Sequence, residues 1–235
     1  MPQADISKEA QMLAWGKPAY KTFKSHTLMF TVIQILPFIE AIGIVAFCIS
    51  GFIRAQQRKF DPVGVFVVGF ATAFGGGTLR DILLERRPFF WVEHEGYVIA
   101  LFVFSMLAGK SVDFMHRVFS RKGMVVADAL GLGLFTVTST AVALDAGMPY
   151  FVATMYGVIG AAFGGVIRDV LCGDTPLLLT DSRPYASCAF VGAWLYIVLQ
   201  VIGANDIVSL LIASGTIVAL RLISLKMRWE VPKGF

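Results

Sequence analysis

One short segment occurs twice in this chain, and the repetition constrains the fold more than any other feature of the sequence. The first copy reads GGGTLRD over residues 75–81, and the second reads GGVIRD over residues 164–169. Equivalent positions are 88 residues apart throughout, so no residue is inserted or deleted between the copies. Each copy places glycines beside an adjacent arginine and aspartate in an apolar stretch, which predicts two equivalent structural elements.

The repetition extends well beyond the glycines at the same spacing. The further matches are Glu40–Gly43 with Asp128–Gly131, Phe47 with Phe135, Gly69 with Gly157, and Tyr97 with Tyr185. Chance does not preserve such a register over this length. We conclude that the chain consists of two copies of one unit.

The composition indicates a membrane protein with several spans. Hydrophobic residues make up 57% of the 235 residues, charged residues only 15%, and the mean hydropathy is +0.73. Such a chain has too little polar surface to cover a soluble core, and it leaves no room for a soluble catalytic domain. The net charge of +4 reflects loop topology in a protein of this kind, not binding to nucleic acid.

Apolar stretches predict an all-α integral membrane protein with seven transmembrane helices. The predicted spans are residues 28–53, 63–84, 96–108, 124–144, 150–171, 184–204 and 207–225. Three spans fall in each copy, and an odd number of crossings makes the second copy enter the membrane from the opposite side. The sequence therefore predicts two inverted three-helix repeats, 29–116 and 117–204, plus a seventh helix at 205–226.

The termini and loops set the expected orientation. Residues 1–28 are either a short helix on the membrane surface or a disordered tail, and residues 227–235 form a C-terminal tail. Ten lysines and arginines lie on the side of the C-terminus, against six on the other side. This bias predicts an external N-terminus and a cytoplasmic C-terminus.

The repeated glycines allow two structural interpretations. Consecutive glycines weaken a helix, which favours a kink or local unwinding at Gly75, Gly76 and Gly77 and at Gly164 and Gly165. Small residues at four-residue spacing also let two membrane helices pack closely. Both roles are compatible with a passage between the two repeats.

The repeated charged residues are the candidates for function. Arginine and carboxylate groups are costly near hydrocarbon, so they must mark helix ends at the headgroups, pair with one another or face water. The candidates are Glu40, Arg80 and Asp81 in the first copy, and Asp128, Arg168 and Asp169 in the second. Each arginine has its sequence neighbour or a more distant acid as an available partner. Fully ionised, the six groups carry a net charge of −2, which favours cations in a wet path.

Other chemistry has little support in the sequence. The three cysteines and three histidines are scattered without metal-ligand spacing, and no nucleophile elbow or phosphate-binding loop is present. We therefore expect neither a metal site nor a cofactor, and no enzymatic activity.

With its doubled GGGTLRD and GGVIRD motifs, the chain resembles a prokaryotic member of the trimeric intracellular cation (TRIC) channel family, over about residues 30–226. The same domain family has been labelled glycine transporter and UPF0126. The resemblance implies a homotrimer in a prokaryotic inner membrane, with one pore per protomer that is permeable to K⁺ and Na⁺ and kinked at the glycines. Val166 stands where a third glycine might be expected in the second copy, so the two halves need not move alike.

Three functions follow as hypotheses. The first is a passive monovalent cation channel, the second is a secondary transporter of a small zwitterion such as glycine, and the third is a membrane scaffold. A zwitterion site needs a cation and an anion close together at mid-depth, whereas a channel needs a continuous wet path.

Overall fold

The computed structural model describes residues 26–108, 121–180 and 184–227, and these parts of the chain form nine helices. In chain order they are α1 (His26–Gln57), α2 (Pro62–Leu83), α3 (Phe90–Glu93), α4 (Glu95–Ala108), α5 (Arg121–Asp145), α6 (Tyr150–Leu171), α7 (Leu177–Thr180), α8 (Ala186–Val201) and α9 (Asp206–Met227). The predicted N-terminal surface helix and most of the tail at 227–235 lie outside the described residues.

Five of these helices are long and apolar enough to cross a membrane: Pro37–Gln57 within α1, the whole of α2, Gly123–Asp145 within α5, and the whole of α6 and α9. The apolar helices Glu95–Leu107 and Ala186–Val201 are shorter. Each of the seven predicted spans therefore coincides with a helix. The prediction of an all-helical membrane protein is confirmed.

Local sequence explains where α2 begins. The Asp61 carboxylate accepts a hydrogen bond of 2.8 Å from the Gly64 amide, and Pro62 occupies the first turn, where a missing N–H costs nothing. Helix α6 begins in the equivalent place after Pro149. Both ends of α2 recur at the ends of α6 with the 88-residue spacing, so the repetition read from the sequence is also a repetition of helices.

Helices α2 and α6 cross in backbone contact at the repeated glycines. A Cβ atom added to Gly76 would lie 2.0 Å from the carbonyl oxygen of Gly160, and one added to Gly164 would lie 2.4 Å from the carbonyl oxygen of Thr72. The two contacts interchange when 88 is added to or subtracted from each residue number. The crossing is therefore a reciprocal contact between the two copies, made possible by the missing side chains.

A second reciprocal contact lies between α1 and α5. The Phe47 and Phe135 rings have centroids 5.2 Å apart. Each ring also lies against the glycine one turn before the other ring: Phe135 contacts Gly43, and Phe47 contacts Gly131. These four residues again interchange under the 88-residue spacing. The two copies thus meet through glycines and two aromatic rings, all of them equivalent positions.

The glycines do not interrupt their helices. Both α2 and α6 are continuous α-helix through residues 75–77 and 164–165, so the local unwinding that the sequence suggested is not present. Close packing is present, and a kink at these glycines stays a prediction.

We predict that Gly76→Ala destabilises the protein, because its methyl group would overlap the Gly160 carbonyl and force the helices apart, at a cost of about 1–3 kcal/mol. Gly77→Ala is the matched control, since the nearest atom to its Cβ is 3.5 Å away. Thermal unfolding of the purified protein in detergent should show a lowered Tm for Gly76→Ala alone. Equal Tm values for the two variants would refute a packing role for Gly76.

Candidate functional site: two buried arginine–carboxylate clusters

The first cluster is centred on Arg80, in the last turn of α2. Its guanidinium donates a hydrogen bond of 2.8 Å from Nε to Asp81 Oδ1 and another from Nη1 to Glu40 Oε1, on α1. The residues are buried, with Arg80 only 2% exposed. A cation near a helix C-terminus is favoured by the helix dipole, and here it also holds α1 against α2.

The second cluster is centred on Arg168, in the last turn of α6. Its Nη1 lies 2.6 Å from Asp128 Oδ1 on α5, and its Nε donates to Asp169 Oδ1 at 2.9 Å. Arg168 is 1% exposed. In both clusters the distant carboxylate precedes the arginine by 40 residues, so the copies repeat the same ion pairs.

The clusters decide between the arrangements that the sequence left open. Each arginine binds both its sequence neighbour and the distant acid of its own copy, and among the described residues no ion pair joins Arg80 or Arg168 to a carboxylate of the other copy. All six groups are buried, although the two arginines and the aspartates next to them lie in the last turns of α2 and α6. Pairing within a copy offsets the cost of burying three charges together.

The two clusters differ in how tightly they are covered. The first borders a cleft lined by Phe90 and Trp91 that is roughly large enough for one water molecule. The second is covered by Leu177, Leu178 and Tyr185 and leaves no such space. The second cluster is therefore packed more tightly than the first.

Sequence reasoning did not assign four residues that surround the second cluster: Ser50, Leu177, Tyr185 and Arg221. Ser50 of α1 accepts a hydrogen bond of 2.5 Å from Arg168 Nη1, and the Leu177 amide donates to Asp169 Oδ2 at 3.0 Å. Tyr185 lies against Gly165, and the guanidinium of Arg221 on α9 stacks on its ring, 4.7 Å from the centroid. The sequence did indicate Tyr185, because it is the equivalent of Tyr97 in the first copy. That equivalence did not predict that Tyr185 is buried.

The chemistry of the clusters is electrostatic. Each contains one guanidinium and two carboxylates, a surplus of one negative charge if all are ionised. No group of His, Cys, Asp and Glu in the described parts of the chain has the arrangement of a metal site. Buried, paired charges inside a membrane protein typically mark an ion or substrate path or a proton relay.

Known proteins share this sequence and this fold. A family described as glycine transporter matches residues 37–109 and again 125–201, which are the two copies. Among solved structures, the TRIC trimeric intracellular cation channel orthologue from Rhodobacter sphaeroides superposes with a TM-score of 0.76 at 32% identity, over 83% of this chain and 100% of that chain. The chain belongs to the TRIC channel family.

One further TRIC structure and two relatives from bacteria are also similar to this chain over most of its length. A TRIC cation channel whose structure explains conductance has a TM-score of 0.73 at 33% identity, over 84% of this chain and 96% of that chain. The UPF0126 membrane protein YvgT of Bacillus subtilis is 31% identical over 83% of this chain and 94% of its own length. The UPF0126 inner membrane protein YadS of Escherichia coli is 36% identical over 66% of this chain and 73% of its own length.

We predict that Arg80→Gln lowers stability by about 3–5 kcal/mol, because it leaves Glu40 and Asp81 buried without a cation. The double variant Glu40→Gln/Arg80→Gln should recover part of the loss, and Arg86→Gln, at a half-exposed side chain, should change little. Thermal unfolding in detergent checks the series. A Tm for Arg80→Gln equal to that of the wild type would contradict the ion-pair account.

Proposed function

We propose that this protein is a passive channel for monovalent cations, K⁺ and also Na⁺, with one pore in each protomer of a homotrimer. The observation that carries the proposal is the pair of buried, repeated clusters, one in each copy, linked by a glycine crossing between the copies. The TRIC cation channels, which share the fold, support the same function. The surplus of carboxylates over arginines gives the path its preference for cations.

The proposed architecture is seven transmembrane helices, with α1, α2 and α4 as one repeat, α5, α6 and α8 as its inverted counterpart, and α9 outside both. The reciprocal contacts of Gly76 with Gly160 and of Gly164 with Thr72 support it, because a two-fold axis in the membrane plane interchanges such contacts. We further propose a prokaryotic inner membrane location with the C-terminus in the cytoplasm and the N-terminus outside, on the charge bias of the loops.

The conformation described here is a closed one under this proposal. The α2–α6 backbone contact and the pair Phe47–Phe135 occupy the region between the two clusters. Conduction requires these helices to separate or bend at their glycines, which are the positions where a helix bends at least cost. Gly75, Gly76 and Gly77 with Gly164 and Gly165 are the proposed hinge.

Transport of a small zwitterion such as glycine is the second candidate, and the description of the matching family favours it. A bound zwitterion needs a cationic group for its carboxylate and an anionic group for its amine. In both clusters the guanidinium already faces two carboxylates of the protein. This occupied arrangement suits the wall of an ion path better than a zwitterion site.

The deciding experiment uses purified protein in a planar bilayer with asymmetric KCl. Unitary currents that reverse near the K⁺ equilibrium potential are the expected result. Electrical silence, together with saturable glycine counterflow in liposomes, would replace the channel by the transporter.

We predict that Glu40→Gln and Asp128→Asn each lower the permeability ratio of K⁺ to Cl⁻, because each removes one buried negative charge from the path. Glu85→Gln is the control, since this acid is exposed on the loop after α2 and screened by salt. Reversal potentials in asymmetric KCl measure the ratio. Unchanged ratios in both buried variants would remove these acids from the pore.

A further inference from the structure

We propose that Ser50 and Arg54 of α1, with Arg58 directly after its end, form a clasp that holds the second half of the path closed, so that the channel gate lies at the Arg168 cluster. The proposal rests on the proposed channel function and names the residues that regulate it. Ser50 acts here as a positioning residue for Arg168.

The clasp consists of two polar side chains on one face of α1 and a third in the turn that follows it. Residues 50 and 54 are four apart, so they lie in a row along the helix, and Arg58 comes directly after the helix ends at Gln57. Ser50 Oγ accepts a hydrogen bond from Arg168 Nη1, Arg54 Nη2 lies 2.6 Å from Asp174 Oδ2, and Arg58 pairs with Asp174 Oδ1. Both partners belong to the second copy, at the end of α6 and in the loop after it.

The clasp joins the two copies where they would have to part. Among the described residues, the ion pairs inside each cluster hold helices of the same copy together, α1 to α2 and α5 to α6. The clasp instead connects α1, of the first copy, to α6, of the second. Separation of α1 from α6 therefore breaks a hydrogen bond to a buried guanidinium and two ion pairs at one end of the molecule.

Among the described residues, the first half of the path lacks this combination of a hydrogen bond from α5 to the buried arginine and ion pairs to the loop after α2. What joins the copies there is weaker: Tyr156 of α6 donates a hydrogen bond of 3.1 Å to the Leu83 carbonyl, and Arg86 interacts electrostatically with Asp145 at the end of α5. The positions that correspond to the clasp are Thr138 and Val142 on α5 and Ala146 directly after it, of which only the threonine is polar. Its hydroxyl donates to the Phe135 carbonyl of its own helix at 3.4 Å, not to Arg80. Asp174 corresponds to Arg86, which lies 3.8 Å from Asp81 of its own copy.

The packing around the two clusters also differs, and the cluster next to the clasp is again the tighter one. The cleft at the Arg80 cluster has space for about one water molecule, whereas the Arg168 cluster has none. The Leu177 amide also holds Asp169 in place at 3.0 Å. We infer that water reaches the first cluster with small movements of Phe90 and Trp91, whereas the second cluster is bordered by Leu177, Leu178 and Tyr185 and is also tied to α1 by the clasp.

The test is the open probability of Ser50→Ala in planar bilayers. A hydrogen bond to a charged group that exists only in the closed state should, when removed, raise the ratio of open to closed time by about tenfold. Unitary conductance is recorded in the same traces, because a change in gating alters the time spent open, whereas a change in the pore itself alters the current through the open channel. Ser50→Thr keeps the hydroxyl and should restore the wild-type open probability.

Two further variants complete the design. Thr138→Ala alters the equivalent position of the other copy, where the hydroxyl bonds to its own helix, and should leave gating unchanged. Asp174→Asn weakens both ion pairs of the clasp without touching the cluster, and should raise the open probability like Ser50→Ala.

The possible results of these recordings distinguish a failure of the clasp proposal from a failure of the channel function on which it rests. Silence of the wild-type protein would overturn the channel function itself. Wild-type currents with an unaltered open probability in both Ser50→Ala and Asp174→Asn would leave the channel standing and overturn the clasp. An equal effect of Thr138→Ala would overturn the assignment of the gate to the second half.

A labelling measurement gives a readout without currents. In a background with the three native cysteines replaced by serine, Leu178→Cys places a thiol over the second cluster. Its reaction with a membrane-impermeant maleimide should become several-fold faster when Ser50→Ala is added. An unchanged rate would contradict opening at this end.

Discussion

A guanidinium that is buried within a membrane protein needs nearby carboxylates to balance its charge. This requirement determines how the helices of this molecule pack. Arg80 and Arg168 are almost completely buried, and each is held by two carboxylates, one from the next residue and one from a preceding helix. The distant carboxylate fixes α1 against α2 in one copy and α5 against α6 in the other. An arginine left without these partners would cost several kcal/mol, so neither helix pair can slide or separate freely.

The glycines allow the two copies to pack closely against each other. Helices α2 and α6 each carry a paired arginine in the last turn, and they approach until the backbones of Gly76 and Gly164 contact the opposite helix. Phe47 and Phe135 fill the adjacent space between α1 and α5. Backbone contact and two rings provide dispersion energy without charge, so this middle region can open at a lower cost than the clusters on either side.

Much of this arrangement was predictable from the repetition alone. The 88-residue spacing matched Pro62–Leu83 to Tyr150–Leu171, and the apolar stretches located every long helix of the described chain. The six clustered charges were candidates because charged residues in apolar spans are rare. The pairing was not predictable, since the contact of Arg80 with Glu40 depends on how α1 packs on α2, which no local pattern specifies.

Two further features escaped prediction for physical reasons. The short helices α3 and α7 contain four residues each, too few to show a hydrophobic period, although they cover the two clusters. Ser50 resembled the many membrane-helix serines and threonines whose hydroxyls bond to their own backbone, as Thr72 and Thr136 do. Unwinding at the glycines was expected from helix propensity alone, but tertiary packing keeps both helices intact.

The central claim is that cations follow a path within one protomer that runs past both clusters. Thiol modification during single-channel recording tests this claim most directly. Thr78 lies in the cleft at the Arg80 cluster, whereas Val67 is on the outer face of the same helix, 46% exposed. In a cysteine-free background, a cationic methanethiosulfonate should block or reduce the unitary K⁺ current of Thr78→Cys. The same reagent should leave the current of Val67→Cys unchanged. Complete modification of Thr78→Cys with an unaltered current would contradict a path through this cluster.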